Sequence, residues 1–429
     1  MSPPKKTSEN TSKIHRPVAE QVLLALQQIF NEGSDDKTSH TSRQADRVIE
    51  KLFKSNRQLG SRDRRFIAES VYDIVRWWRL LAASIGRDEI TLGSTELWRI
   101  FGAWLLLRGD ALPDWPEFQG LNLAEIAERK SKIPVASAIG QSFPDWLYEL
   151  GERELGREKW AAYAQKLNEP APVVLRANRL KIDAQTLIGK LKKEDIETTL
   201  ANGTTDGLIL TERKNVSATE SFATGLFEIQ DGASQQIAPL LNVEPSHSPT
   251  PLNVIDACAG AGGKTLHLAA LMGNRGTITA LDVNARKLEE LEKRRTRAGA
   301  KIVNVKKILS SHTMEEFKGR ADRLLLDVPC SGLGVLRRNA DTKWRLKPAD
   351  IARLHDLQAT ILNEYTETLK VGGRLVYATC SILPSENEKQ IEAFMKRQPE
   401  TWRLEKEIKF APGENGYDGF YAAALTKLK

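Results

Sequence analysis

Cysteine is scarce and unevenly placed: there are three, Cys258, Cys330 and Cys380, and none in the first 257 positions. An odd, late set of thiols excludes the disulfide framework of a secreted domain. No run of about 18 apolar residues occurs, and the opening stretch MSPPKKTSENTSKIHRP has no apolar core, so neither a membrane span nor a signal peptide is expected. Neither Cys-x-x-Cys nor a nearby His pair supplies four ligands, so no metal is expected. Internal repeats and low-complexity tracts are also lacking. The excess of positive charge is mild: 63 Lys and Arg against 56 Asp and Glu, a formal +7. With 41% hydrophobic and 28% charged residues in 429, the chain is too apolar for disorder and long enough for two or three domains. The reading is a cytoplasmic, monomeric, multidomain protein with free thiols.

Residues 1–150 carry helical periodicity, as in Val18, Val22, Leu26 and Ile29, then Val48, Ile49 and Leu52, then Ile67, Val71, Ile74 and Val75. An all-helical bundle is expected there. Residues 151–245 mix a helix through Leu187 and Leu191 with short strands at 173–176, 208–210 and 226–229, a small α/β unit. Residues 246–429 alternate strands (252–256, 277–282, 302–305, 323–327, 374–379 and 420–425) with helices, the rhythm of a doubly wound α/β sheet. The helix before 374 is expected to stop at Gly372-Gly373.

The strand at 252–256 runs into Asp256-Ala257-Cys258-Ala259-Gly260-Ala261-Gly262-Gly263-Lys264-Thr265. A phosphate-binding P-loop needs glycine where Cys258 stands, and a dinucleotide fingerprint needs it at Thr265. A loop for S-adenosylmethionine remains, with glycines at the turn and Asp282 ending the next strand, nineteen residues beyond Gly263, to accept from the ribose hydroxyls. A tight turn without ligand is the plain alternative.

Two thiols fall at the tips of adjacent strands: Asp327-Val328-Pro329-Cys330-Ser331-Gly332 and Thr379-Cys380-Ser381. Ligands of open parallel sheets sit over those tips. The chemistry that wants a thiol there is methylation of pyrimidine carbon 5: a thiolate adding to carbon 6 makes carbon 5 nucleophilic, and a carboxyl near N3 and the exocyclic amine, such as Asp327, stabilises the developing charge.

These motifs, with the approach Gln230-Asp231-Gly232-Ala233-Ser234-Gln235-Gln236, resemble the RNA cytosine-5 methyltransferases of the Sun/RsmB and nucleolar-protein families across residues 226–425. The resemblance implies a class I S-adenosylmethionine-dependent methyltransferase fold, Cys380 as nucleophile and Cys330 assisting product release, with Lys264 and Asp327 at the target base. It further implies a cofactor set of Cys258, Ala259, Gly260, Ala261, Gly262, Gly263, Lys264, Asp282, Arg286 and Asp327. The segments 59–64 and 72–76 resemble the NusB-like RNA-binding domain of bacterial Sun/RsmB enzymes, implying 16S ribosomal RNA as substrate and an RNA-recognition-like role for 151–245. Two departures stand out. Gly260-Ala261 replaces the family's Ala-Pro, and no acid lies at 308–312 to hold the adenine, leaving Ser310 or Ser311. Transfer RNA or DNA as substrate, or a non-catalytic RNA-binding protein, are the rival readings.

Basic residues gather at 51–87, where a solvated helix face is expected and Trp77 and Trp78 are expected in the core. They gather again at 286–307, equally suited to solvent or RNA, and at 337–347, where Arg337, Arg338, Lys343, Trp344, Arg345 and Lys347 are expected to meet RNA.

Overall fold

The apolar stripes of the first third close on one another. The computed structural model describes residues 14–30, 44–87, 93–310 and 312–429; the opening stretch and Ser311 lie outside them. Helices Arg16–Phe30, Ala45–Ser55, Ser61–Arg76, Trp78–Ser84 and Ser94–Arg108 bury Val22, Leu26, Ile49, Ile67, Val71, Ile74, Phe101 and Trp104. Trp78 is in this core, stacked on Phe30 at 4.0 Å between centroids, and Trp77 packs against its edge. The basic run here is only partly a solvated face: Arg76 is buried and Arg79 forms a two-pronged pair with Asp145 at 2.7 Å.

This helical unit continues past 150 to Asn168 and takes in Arg338–Pro348 from later in the chain. Helices Asp145–Leu155 and Arg157–Leu167 pack through Gly151, where a Cβ would lie 2.2 Å from the ring of Trp160. Inside the unit the Trp344 Nε1–H donates to the Val75 carbonyl at 2.8 Å. Lys343 is buried, its amine on the Arg76 carbonyl at 2.9 Å and on Asn168 Oδ1 at 3.0 Å. Burial, with Arg76 adding to it, pushes that amine well below the usual lysine range. Arg345 pairs with Asp341 at 2.8 Å. The expectation that the 337–347 side chains meet RNA is therefore corrected for Lys343, Trp344 and Arg345, whose polar atoms serve the interior of this unit.

The second unit comprises Glu169–Arg337 and Ala349–Lys429. Its smaller sheet has β1 (Val174–Ala177), β2 (Thr198–Leu200), β3 (Gly207–Leu210) and β4 (Phe227–Ile229) in the order β2-β3-β1-β4, all antiparallel. Helix Ala184–Lys193 covers it with Leu187 and Leu191, started by Asp183, which accepts from the Thr186 N–H. Strand β2 escaped the sequence reading because two of its three residues are exposed. Arg337 is buried in this unit, donating to the carbonyls of Pro170, Gly416 and Tyr417 at 2.7 to 3.0 Å, so it too is structural.

The larger sheet contains β5 (Asn253–Asp256), β6 (Thr277–Asp282), β7 (Val303–Lys307), β8 (Ala321–Asp327), β9 (Leu369–Thr379), β10 (Trp402–Phe410) and β11 (Phe420–Lys427). Their order is β10-β11-β9-β8-β5-β6-β7, parallel from β9 to β7 with β10 and β11 antiparallel. The topology turns back beside β5, so the crevice for a ligand opens at its carboxyl end. Two elements differ from expectation. Gly372-Gly373 does not stop a helix: helix Pro348–Tyr365 ends earlier, and the glycines lie inside β9 where its pairing with β8 shifts register. Strand β10 is mostly exposed, and Lys406 interrupts the alternation of Trp402, Leu404, Ile408 and Phe410 at its centre, so it was not read from the sequence.

Glu228 on β4 is buried and holds Arg294 at 2.8 Å and Arg297 at 2.6 Å, both from helix Ala285–Ala298. These arginines of the 286–307 run thus tie the two sheets together, while Arg286, Lys287, Lys293, Lys301 and Lys307 are exposed. No helix of the described residues is long and apolar enough to cross a membrane.

Candidate active site

Glycines at 260 and 262 adopt positive φ, +55° and +85°, which turns the chain sharply from β5 into helix Gly263–Leu271. The turn is fastened to β6: the Gly260 N–H donates to Asp282 Oδ2 at 2.8 Å, and the Asn284 N–H to its Oδ1 at 2.8 Å. Each oxygen of Asp282 keeps a lone pair for a further donor. Asp256, at the end of β5, accepts from the Thr265 hydroxyl at 2.7 Å, while its other oxygen is buried without a partner. Burial lifts its carboxyl to about 7, the Thr265 bond opposing. Cys258 lies inside the loop, and burial together with the charges of Asp256, Asp327 and Asp282 pushes its thiol well up.

Across the crevice, Lys264 reaches from the first turn of the helix to Asp327 at the end of β8, Nζ to Oδ2 2.7 Å, with the Phe420 ring 5.5 Å from the amine. Burial works against the ammonium, but the charge and hydrogen bond of Asp327 outweigh it and hold Lys264 above the usual lysine value.

The two strand-tip thiols come together. Cys330 Sγ and Cys380 Sγ are 3.3 Å apart, each partly buried. The hydrogen bond with Cys380, then burial, then the charges of Cys380 and Glu386 push the Cys330 thiol well up. Gly334 secures the arrangement, its N–H on the Cys380 carbonyl at 2.9 Å, with no room for a Cβ between Gly419 and Cys380.

The structure thus brings Cys330 to Cys380, Lys264 to Asp327, and the 258–263 turn to Asp282. Arg286 joins none of them: it is exposed in the first turn of its helix, with no hydrogen bond or ion pair to the loop among the described residues. Ser310 is exposed and its carbonyl accepts from the Thr313 N–H. Sequence reasoning missed Glu386, fully buried beneath both cysteine turns, and Gln358, which donates to it at 3.0 Å. The only hint was an acid five residues beyond Ser381, in a segment that reads as an ordinary turn.

The residues present suit S-adenosylmethionine: a glycine turn that lets backbone approach, a carboxylate at Asp282 with lone pairs for hydroxyls, and the orphaned oxygen of Asp256 beside them. Comparison with known proteins agrees. The family described as 16S rRNA methyltransferase RsmB/F matches residues 241–426, and the ferredoxin-like domain of RsmF/B-like methyltransferases matches 143–217. A protein of Synechocystis named probable ribosomal RNA small subunit methyltransferase B is 32% identical over 91% of this chain and 96% of its own length. Ribosomal RNA small subunit methyltransferase B of Shewanella oneidensis is 36% identical over 62% and 63%. Among solved structures, PH0851 superposes with a TM-score of 0.75 at 24% identity, covering 99% of this chain and 100% of that one, a likeness of fold. A methyltransferase homolog from Pyrococcus horikoshii gives 0.59 at 28% identity over 69% and 100%. The chain belongs to the RsmB/F family of S-adenosylmethionine-dependent 16S ribosomal RNA methyltransferases.

Proposed function

We propose that this protein methylates carbon 5 of a cytosine in small-subunit ribosomal RNA through a covalent bond between Cys380 and carbon 6. The observation that carries the reading is the 3.3 Å approach of two thiols beside the Lys264–Asp327 pair. A methyltransferase acting on an exocyclic amine has no use for such a pair of sulfurs. Cys380 as thiolate adds to carbon 6, and the electron pair of the 5–6 bond moves to carbon 5 and into the ring. Asp327, held by Lys264, is assigned to the edge bearing N3 and the amine, where it orients the base and steadies the charge. Bound S-adenosylmethionine supplies the electrophilic methyl group, and Cys258–Gly263 with Asp282 would hold it. Carbon 5 then gives up its proton and the Cys380–carbon 6 bond breaks, returning the electrons to sulfur; Cys330, adjacent, assists this release.

The substrate follows from the names of the relatives. RNA contact is assigned to exposed cations such as Arg57 and Arg62 of the helical unit and Lys287 and Lys293 of helix Ala285–Ala298 beside the larger sheet.

The test is Cys330→Ala incubated with ribosomal RNA and cofactor. An adduct of protein and RNA, seen by mass and lost in Cys330→Ala/Cys380→Ala, is the expected result; no adduct refutes the covalent route. Bisulfite sequencing of RNA from a strain lacking the gene should show one small-subunit cytosine mark gone, and an unchanged ribosomal RNA with a lost transfer RNA mark moves the substrate.

A further inference from the structure

Glu386 has no part in the chemistry above, yet it is fully buried between the two turns that carry the sulfurs. Oε1 accepts from the Ser331 N–H at 2.8 Å and from Gln358 Nε2 at 3.0 Å. Oε2 accepts from the Ser331 hydroxyl at 2.5 Å and from the Ser381 hydroxyl. All four contacts run from donor to oxygen, as an ionised carboxylate requires. Ser331 and Ser381 directly follow Cys330 and Cys380, and their hydroxyls are 3.2 Å apart. The Glu386 carbonyl is fixed in turn, accepting from Tyr377 OH at 2.7 Å. A charge this far from water is costly unless paired, and here it has only neutral donors. The structure bears that cost directly beneath the sulfurs.

We propose that Glu386 is a positioning residue, a carboxylate clamp that joins the two cysteine turns and sets the distance between Cys330 and Cys380. The inference rests on the proposed role of those thiols, since only their joint action needs a fixed spacing. Its charge has a second consequence: with Cys380 it is among the groups that keep Cys330 protonated. Tyr377 is the further titratable group facing Cys330, and Lys264 faces Cys380.

Two substitutions separate shape from charge. Glu386→Gln keeps the length: its oxygen can stay on Ser331 N–H and Gln358, and its amide can donate to the two serine hydroxyls. Glu386→Asp keeps the charge but is one methylene too short to span both turns. The clamp requires that Glu386→Asp lower single-turnover methyl transfer by ~10²-fold, with cofactor affinity and the RNA KM within about twofold of wild type, since uniform binding is untouched. Diamide closure of the Cys330–Cys380 disulfide, in which diamide takes up both protons and both electrons as the hydrazine, reads the spacing without RNA and should slow in the same variant. Glu386→Gln should instead lower the pH midpoint of Cys330 alkylation, read in a Cys380→Ser background, by about half a unit or more. Wild-type closure in Glu386→Asp, or an unmoved midpoint in Glu386→Gln, overturns the proposal. If Cys330→Ala traps no adduct while closure still slows in Glu386→Asp, the covalent route falls and the clamp stands.

Discussion

Gly262→Ala is the sharpest perturbation of the glycine loop proposed to hold the cofactor, because two costs coincide there. At φ +85° an alanine pays the left-handed penalty, and its Cβ would lie 2.0 Å from Leu291 Cδ1 and 3.1 Å from Cγ. The first is worth ~1–2 kcal/mol and the forced repacking of buried Leu291 ~1–3 kcal/mol. A total of about 3 kcal/mol lowers the Tm of the unit containing the larger sheet by roughly 6–12 °C. Gly263→Ala is the control: nothing lies within 4 Å of its Cβ position and it begins the helix at negative φ. That change is neutral or stabilising by ~0.4–1 kcal/mol. Calorimetry of the full chain gives the Tm of each variant, and titration with S-adenosylmethionine gives the affinity. Gly262→Ala should lose both stability and affinity, since Leu291 cannot yield without moving the loop. A Tm for Gly262→Ala within about 2 °C of wild type, or an equal fall in Gly263→Ala, refutes the reasoning.

Asp256 makes stability depend on pH. Its folded carboxyl titrates at about 7, above the ~3.9 of an unfolded chain, so the folded state keeps a proton the unfolded state gives up. The contribution is full below about pH 4, falls as pH rises toward 7 and is level above. Asp256→Asn should flatten that part of the Tm-against-pH curve; an unaltered curve assigns the slope elsewhere. Glu228→Gln leaves Arg294 and Arg297 facing each other without a counter-charge and should cost ~3–5 kcal/mol in urea unfolding. Arg297→Ala should likewise destabilise while leaving the salt dependence of RNA binding unchanged, whereas exposed Lys293→Ala reduces that slope by ~1. An equal change of slope in both would return Arg297 to the RNA-binding set.

The site was legible where chemistry is written in consecutive residues. The glycine turn from Asp256 to Thr265, Asp282 at the end of a strand and the two Cys-Ser dipeptides are local patterns, because backbone turns and strand ends are local events. The doubly wound sheet followed from the rhythm of apolar strands and helices, and β10 was missed although Trp402, Leu404, Ile408 and Phe410 alternate with charged residues, because Lys406 breaks that pattern at its centre. The arginines at 294 and 297 and the lysine at 343 looked like candidates for RNA when read as a count of charge. Only tertiary contacts reveal that Glu228 takes the first two and that buried carbonyl and amide oxygens take the third.

By itself, the sequence determined the fold class, the glycine turn after β5 and which sulfurs stand at strand tips, since periodicity and motif spacing carry that information along the chain. Tertiary structure decided that residues 330 and 380, fifty apart, bring their sulfurs to 3.3 Å, and that Glu386 lies beneath them. Side-chain distance and desolvation depend on what the rest of the fold packs against a residue, and no local pattern encodes them.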